Sequence, residues 1–507
     1  MTSSIVGEVP FGKRAPALRA LLDQREIWLI IIAMLALAVL TRHEVVANTD
    51  VSWGITMAEK VLAGARPYVD FIEPNPPSYI YLHVAPVIIA RLTGFSPEPV
   101  MDALVLIAIV ANLWVAGRVL RRAGLLERFD AGKLLVMSMA ILAIVPAQTF
   151  AEREHIALVL FLPMLCVMLA RAAGATPSRG DLLVAGLGAG AMMVLKPYLA
   201  VGLVMAVAMA AWSARSWRIL VAAENWIAFA VHAAYGATIV VVFPEFLKDT
   251  VPLLRAVYLP VRLSLWELGV VLPGMQIWAW TLVAVAVVRR SERYDPSYGI
   301  LIATSLGFAA SFFAQGKGWP YHSYPMMALG LIALACALSE RRARAPAPLE
   351  QVGGAVVAGL LGFVTFTWMN VAGSLTSLVV PIGQIKPHPT MLAISHNIAI
   401  GHPLVRQVEG TWVSAVPSMW MTGGALFRRA HEALTPEENA ALDRYIFLDR
   451  SLMINALRRM PEIIVIQKAP ADFETWARAD SEIDALLKPY KEAVTTPEVL
   501  VLRRDGS

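Results

Sequence analysis

The first residue that could do chemistry is Asp50, which follows the first apolar segment of the chain. A carboxylate at such a position can act as a general base that deprotonates an acceptor hydroxyl for attack at a sugar carbon. An alternative is that Asp50 caps the N-terminus of a helix beginning at Val51, since Asp is a favoured capping residue. Both roles are compatible with the sequence.

A second acidic element is Glu152-Arg153-Glu154-His155, directly before another apolar segment. Together with Asp50 it offers oxygen and imidazole ligands that suit Mg²⁺ or Mn²⁺, whereas Arg153 favours an internal ion pair. The pattern lacks the two histidines, four residues apart, of a zinc protease. We predict Asp50, Glu152 and Glu154 as catalytic, with no metal ligand or cofactor assigned beyond that option of Mg²⁺ or Mn²⁺.

Basic and aromatic residues recur where apolar segments end, which fits a phosphate or pyrophosphate held while its sugar leaves. Lys317 stands between two glycines, which let the backbone approach a ligand. Snorkelling toward lipid headgroups is the alternative for each cation. The predicted substrate-binding set is Asp70, Glu73, Arg153, His155, Lys196, Arg255, Arg262, Lys317, Tyr321 and His322.

The stretch Asn48–Leu82 is too polar to cross a bilayer and ends in the stiff turn Pro74-Asn75-Pro76-Pro77. It interleaves carboxylates with Trp53 and several tyrosines. Such a mixture suits a site that handles a polar substrate near lipid headgroups. It is equally compatible with an ordinary interfacial loop whose aromatic residues are anchors.

The composition places these residues in a membrane protein. The chain has 507 residues, of which 57% are hydrophobic and 16% charged, less charge than a soluble surface needs. The net charge of +5 forms no basic cluster apart from the apolar segments, which argues against nucleic acid as a partner. Cys166 and Cys336 lie inside apolar runs and are predicted as packing residues.

Segments long enough to span a bilayer position the candidate residues, since a helix needs about 20 residues to cross. The fifth and sixth are short and could instead form a re-entrant pair. We predict about eleven transmembrane helices, near Ile27–Leu40, Val100–Ala116, Leu134–Ala147, Ile156–Ala170, Leu182–Leu195, Leu199–Ala211, Ile219–Phe243, Leu268–Val288, Ile300–Ala314, Tyr321–Leu338 and Val352–Ala372.

The distribution of positive charge predicts the orientation. With the N-terminus inside, the inner loops carry about 19 Lys and Arg residues and the outer loops about 10. The predicted organisation is a cytoplasmic segment 1–26, a transmembrane module 27–372 whose first periplasmic loop is 41–99, and a periplasmic domain 373–507. Nearly all candidate residues then fall on the outer face, which indicates a shared polar cavity.

The tail has the composition of a small α/β domain. Met391–Ser395, Ile463–Ile466 and Val499–Leu502 are typical of strands. Thr435 followed by Pro436 and Glu438 predicts a helix start, with a helix through about Ile446 and another over roughly 471–487. Strands alternating with helices predict an α/β fold.

Asp50, together with Gly64–Pro77, resembles the first outer loop of bacterial GT-C glycosyltransferases, integral membrane enzymes that use polyprenyl-phosphate sugars. The protein O-mannosyltransferases and lipid A aminoarabinose transferases are similar. The resemblance implies that Asp50 is the base and that Glu73 with Pro76-Pro77 matches an acidic-to-diproline element. Many members have Asp-Glu where this chain has Asp50-Val51, so Glu152 or Glu154 would supply the second carboxylate.

The resemblance covers residues 1–340 and implies an inverting transfer from a polyprenyl-phosphate sugar to a glycan, lipid or protein of the cell envelope. It places the chain in the bacterial inner membrane with a periplasmic active site. The alternative from the residues is a transporter or flippase for a lipid-linked sugar or another polar solute, although no internal repeat is visible. A third reading is a non-catalytic assembly or sensor protein.

Overall fold

The computed structural model describes residues 15–45, 47–290, 292, 294–341, 348–369 and 375–506. The part before the tail is helical, and its segment 244–272 also contains π-helical turns at Phe246–Thr250, Leu254–Tyr258 and Glu267–Val271. Its helices are α1 Ala15–Glu44, α2 Thr49–Leu62, α3 Pro77–Leu82, α4 Val84–Thr93, α5 Pro97–Arg122, α6 Ala131–Ala143, α7 Arg153–Ala172, α8 Arg179–Leu195, α9 Ala200–Ser213, α10 Ala223–Val242, α11 Val251–Leu253, α12 Pro273–Arg289, α13 Pro296–Gln315, α14 Pro320–Ser339 and α15 Pro348–Met369.

Each of the eleven predicted apolar segments coincides with one of the helices α1, α5–α10 and α12–α15. Within the described residues, six helical stretches are long and apolar enough to cross a membrane. The chain is therefore a multi-pass membrane protein. The count of eleven spans stays a prediction. The six stretches are Arg25–His43, Pro97–Arg122, Arg153–Ala172, Trp217–Val242, Pro296–Gln315 and Pro320–Ser339.

Helix α8, one of the short pair, runs between the two ends of the bundle. It begins with a capping box of Ser178 and Asp181, and Asp181 pairs with Arg118 at 2.5 Å. After its last residue, Lys196 pairs with Glu154 at 3.0 Å, at the opposite end. This path favours a full crossing over a re-entrant turn.

At one end of the bundle arginines form ion pairs with carboxylates, and at the other end lie the candidate residues. The pairs are Arg118–Asp181, Arg128–Asp295, Arg171–Glu224 and Arg289–Glu340. This end is the one predicted to be cytoplasmic, and the side of the membrane on which it lies stays a prediction. Residues 1–14 of the predicted N-terminal segment and the boundary at residue 373 lie outside the described residues.

The tail is an α/β domain built on one five-stranded sheet of order β2-β1-β3-β5-β4. Strands β2, β1 and β3 are parallel, and β5 joins β3 and β4 antiparallel. Its elements are α16 Val379–Ile385, β1 Thr390–Ile394, α17 Leu404–Gln407, β2 Thr411–Trp412, α18 Trp420–His431, α19 Pro436–Leu457, β3 Ile463–Gln467, α20 Phe473–Ala479, α21 Ser481–Leu487, β4 Tyr490–Thr495 and β5 Val499–Arg504.

The three predicted strands and the capping box of Thr435 and Glu438 are present. The predicted helix boundaries need two corrections. Helix α19 continues to Leu457 because Met453, Ile454 and Leu457 pack into the core under the sheet. The stretch 471–487 is two helices because Asp480 accepts the N–H groups of Glu482 and Ile483 at 3.1 Å and starts a new helix.

The tail is seated directly on the candidate end of the bundle. Gly424 of α18 lies so close to the segment 244–272 that a Cβ there would meet the Val257 carbonyl oxygen at 1.9 Å. The ring of Trp420 stands 6.1 Å from that of Tyr258. On the other side, Arg406 pairs with Glu59 of α2 at 2.8 Å. The tail therefore packs against this end of the bundle and covers it.

Asp449, fully buried between α18 and α19, gives a pH prediction. Its Oδ2 accepts the N–H of Thr422 at 2.7 Å, and burial raises its pKa to about 7. The native carboxyl therefore holds its proton at a pH where the unfolded one has lost it. Its contribution to stability falls by up to roughly 4 kcal/mol as pH rises from about 4 to about 7.

We expect Asp449→Asn to raise the thermal unfolding temperature of the detergent-solubilised chain clearly more at pH 8 than at pH 5, where only part of the destabilisation has developed. Asp443→Asn, at an exposed carboxylate of the same helix, is the matched control. An equal difference from wild type at both pH values would contradict a protonated native Asp449.

Candidate functional site

Asp50 lies in the first turn of α2 and is not the cap of that helix. Asn48 is the N-cap, and its side-chain Oδ1 accepts the N–H of Asp50 at 2.8 Å. The alternative of Asp50 as a capping residue is therefore wrong. The carboxylate is free for another role, and 20% of the side chain is exposed.

The second acidic element follows a turn with two left-handed residues, Ala147 at φ 47° and Ala151 at φ 63°. For residues with a Cβ this backbone is strained and needs support from its surroundings. His155 gives that support: it accepts the Ala151 N–H at 3.1 Å, and its Nε2 lies 2.8 Å from the Leu142 carbonyl oxygen. Because both ring nitrogens are engaged, we leave His155 out of the proposed ligand set.

Arg153 joins the two acidic elements. Its Nη2 donates to Asp50 Oδ2 at 2.9 Å, and its guanidinium lies 4.1 Å from the centre of the Tyr79 ring. Tyr79 also donates to the backbone carbonyl of Asp50. The base candidate is thus fixed through both its side chain and its backbone.

Glu154 Oε1 is contacted by a lysine, a histidine and a tyrosine. Lys196 approaches at 3.0 Å, His322 at 3.4 Å, and the Tyr198 hydroxyl donates at 2.5 Å. Tyr321 adjoins them, with its ring 4.7 Å from that of His322. Three helix ends that are far apart in the sequence therefore converge on one carboxylate.

Several buried polar atoms of this cluster have no hydrogen-bond partner within the described part of the chain. A buried unsatisfied donor or acceptor is costly, and a native structure retains it where a ligand or water completes it. Unpaired donors on Arg153 and unpaired carboxylate oxygens occur in the same cluster, which makes it the candidate site for a polar ligand. The atoms are Glu152 Oε1, Arg153 Nε, Arg153 Nη1, Glu154 Oε2 and His322 Nδ1.

Glu73 lies next to the cluster, but both of its carboxylate oxygens accept hydrogen bonds from within residues 41–99. Trp53 donates to its Oε2 at 2.7 Å, and the backbone N–H of Asn75 donates to its Oε1 at 2.8 Å. Burial raises the pKa of Glu73 to about 7. Asp70 is exposed and accepts the N–H of Arg66 at 2.7 Å. Both contacts hold the loop together, so we assign Glu73 and Asp70 to loop structure.

Of the remaining predicted cations, Lys317 lies next to the cluster, whereas Arg255 and Arg262 lie outside it. Lys317 donates to the carbonyls of Tyr258 and Val261, the second at 2.6 Å, and so holds the segment 244–272. Burial and the nearby Arg262 lower the pKa of Lys317 to about 8. Arg262 is exposed and donates to a backbone carbonyl, and Arg255 is exposed. Neither arginine joins the cluster.

The donor set does not fit a divalent cation. Asp50 is paired with Arg153, Glu154 is paired with Lys196, and His155 is saturated by backbone groups. Among the described residues, no group of three His, Cys, Asp or Glu side chains is arranged to hold a metal. We therefore derive no step through Mg²⁺ or Mn²⁺.

Asn48 is a positioning residue that the sequence did not reveal. While its Oδ1 caps α2, its Nδ2 donates to the Gln148 carbonyl oxygen at 3.0 Å and so ties Asp50's helix to the strained turn. The sequence signal that could have revealed this role is the Asn two residues before Asp50, because Asn is as good an N-cap residue as Asp.

We expect Asn48→Ala to destabilise the chain by about 1–2 kcal/mol, through loss of the cap and of the bridge. Asn48→Ser keeps a capping oxygen and should recover most of the cap contribution. Thermal unfolding in detergent measures both. Unchanged unfolding of Asn48→Ala would show that neither bond contributes.

Comparison with known structures places the fold. The chain is similar to ArnT from Cupriavidus metallidurans, solved bound to undecaprenyl phosphate, with a TM-score of 0.56 and 13% identity over 94% of this chain and 98% of that one. It is also similar to the mycobacterial arabinofuranosyltransferase AftD, with a TM-score of 0.46 and 13% identity, over 96% of this chain and 40% of that one. No family model and no curated protein matches the sequence. The predicted resemblance is confirmed at the level of the fold: the chain has the ArnT-like fold.

Proposed function

We propose that this chain is a membrane glycosyltransferase that moves a sugar from a polyprenyl-phosphate donor to an envelope acceptor. The observation that carries the proposal is the buried cluster itself, in which an accessible Asp50 carboxylate faces an Arg153 guanidinium with unused N–H groups. The ArnT-like fold supports the lipid donor, since that structure contains undecaprenyl phosphate. The acceptor is a glycan, lipid or protein.

The first step is recognition of the donor phosphate. Arg153 presents Nε–H and Nη1–H, two donors on different edges of the guanidinium, each of which can donate to a phosphate oxygen. Lys196 and His322 add positive charge or donors beside Glu154. These groups stabilise the charge that develops on the polyprenyl phosphate as it leaves.

The second step is activation of the acceptor. Asp50 accepts the proton of the acceptor hydroxyl, and the oxygen attacks the anomeric carbon on the face opposite the leaving phosphate, so that the carbon inverts. Arg153 orients Asp50 by donating to Oδ2, which leaves Oδ1 to accept the proton of the acceptor hydroxyl. Glu154 holds Lys196 in place, and Glu152 Oε1 and Glu154 Oε2 are unpaired oxygens for the sugar hydroxyls.

We place the site on the periplasmic side of the bacterial inner membrane, with the N-terminus cytoplasmic and the tail periplasmic. The support is the excess of Lys and Arg in the loops at the other end. Nucleotide sugars are not available in that compartment, which favours a lipid-linked donor. The tail packs on the segment 244–272 and on α2 at this end, so we assign it to contacts with the acceptor.

The test is release of polyprenyl phosphate. The full chain, purified and reconstituted in lipid, is incubated with a panel of polyprenyl-phosphate sugars and envelope glycan extracts. We expect one donor to yield free polyprenyl phosphate and a labelled acceptor, and heat-treated protein to yield neither. Movement of a donor across the bilayer without release would contradict the enzyme and favour a flippase.

A further inference from the structure

A long apolar groove runs along the side of the bundle between α1 and α5. It has a volume of about 1100 Å³. Helix α1 forms one wall with Trp28 and Leu35, and α5 forms the other with Ile107 and Trp114. Trp28 and Trp114 are 57% and 63% exposed, so the groove is open along its side. We call it the α1 groove.

The two ends of the α1 groove differ in polarity. Toward the candidate site it ends at Val39 and Ala103, directly before the ion pair of Arg42 and Asp102 at 3.1 Å. At the other end Arg121 forms part of the lining. An occupant with a charged head therefore has that head at the Arg121 end.

Arg121 is available for an anionic head group. Its neighbours Arg118 and Arg122 share Asp181, at 2.5 and 3.0 Å. Arg121 itself is exposed and has no acidic partner among the described residues. Two of the three arginines thus share one carboxylate and Arg121 adds a further positive charge beside them, which leaves net positive charge on this group of residues.

The groove spans most of one bilayer core. Ile27 and Val39, which line it on α1, are separated by about 18 Å of helix, and Ala103 and Arg122, which line it on α5, by about 28 Å. A bilayer core is about 30 Å thick, so the acyl chains of one phospholipid reach through about half of the groove from a head group at Arg121. The donor phosphate belongs at Arg153, at the other end of the bundle.

We propose that the α1 groove binds one anionic phospholipid, with its acyl chains between α1 and α5 and its phosphate on Arg121. The lipid fills the space beside α1 and fastens that helix to the bundle. This proposal is independent of the proposed function, because lipid binding is measured without any sugar donor.

Native mass spectrometry of the delipidated full chain, titrated with phosphatidylglycerol, tests the proposal. Wild type should retain one phosphatidylglycerol, and Arg121→Gln should weaken its affinity roughly fivefold. Gly117→Leu should displace it, because Gly117 lines the groove and a Cβ there meets open space, so the new side chain fits without a backbone clash. Arg218→Gln, at an exposed arginine outside the groove, should bind like wild type.

Three results would overturn the proposal. If both variants bind phosphatidylglycerol like wild type, the lipid sits elsewhere. If phosphatidylcholine binds as tightly, Arg121 does not select an anionic head group. If undecaprenyl phosphate displaces phosphatidylglycerol and is itself lost in both variants, the groove holds the polyprenyl carrier.

Discussion

Asp50→Asn is expected to lower the rate of polyprenyl phosphate release by about 10²–10⁴-fold, the usual contribution of a general base. The amide has nearly the same shape but cannot accept the acceptor's proton. Arg153 can still donate to the amide oxygen in the place of Oδ2. The donor's phosphate contacts remain, so donor affinity should change little.

The control for Asp50→Asn is Asp249→Asn, the same chemical change at an exposed carboxylate of the segment 244–272. It should release polyprenyl phosphate at the wild-type rate. Release that is unchanged in Asp50→Asn would remove Asp50 from the mechanism, even if the chain is a glycosyltransferase. Loss of donor binding together with turnover would point to a structural role instead.

Arg153→Gln is expected to be the most damaging substitution for stability and to abolish donor binding. It removes the guanidinium that neutralises Asp50 and lies among Glu152 and Glu154, all buried or nearly so. Removing one partner of a buried ion pair leaves uncompensated charge and costs about 3–5 kcal/mol. Thermal unfolding and binding of a polyprenyl-phosphate analogue measure the two effects.

A double variant separates the charge effect from a packing effect. If the damage of Arg153→Gln comes from unpaired carboxylates, adding Asp50→Asn should restore part of the lost stability, since the two groups are in contact at 2.9 Å. Arg179→Gln, at an exposed arginine that begins α8, should leave unfolding unchanged. Additive losses in the double variant would contradict the pairing.

Most helices and strands of the fold could be predicted from the sequence because the patterns that indicate them are local. A run of apolar residues identifies a helix in lipid whatever its neighbours are, and each of the eleven predicted segments coincides with a helix in the part of the chain that the structure describes, residues 370–372 of the last segment lying outside it. The capping box at Thr435 and Glu438 is equally local, because both partners lie within one helical turn. The end of α19 at Leu457 was missed because packing against the sheet decides it.

The candidate site could be predicted only in part from the sequence. The sequence marked Asp50, Arg153, Glu154, Lys196 and His322 as unusual, because charged residues at apolar segments are rare. It did not show that Glu154 would collect Lys196 and His322, or that His155 would turn away from the cluster to hold the strained turn at Ala151. Those outcomes depend on which helix ends are neighbours, and the sequence pattern carries no such distances.

The sequence by itself therefore determined that this protein is a multi-pass membrane protein with an α/β tail and a set of charged residues at the ends of its apolar segments. The tertiary structure decided which of those residues meet. It joined Asp50 to Arg153 across 103 positions of the chain and set the tail over them. The physical reason is that the hydrophobicity of a segment indicates by itself that the segment lies in lipid. An ion pair, in contrast, forms only where packing brings two distant parts of the chain together.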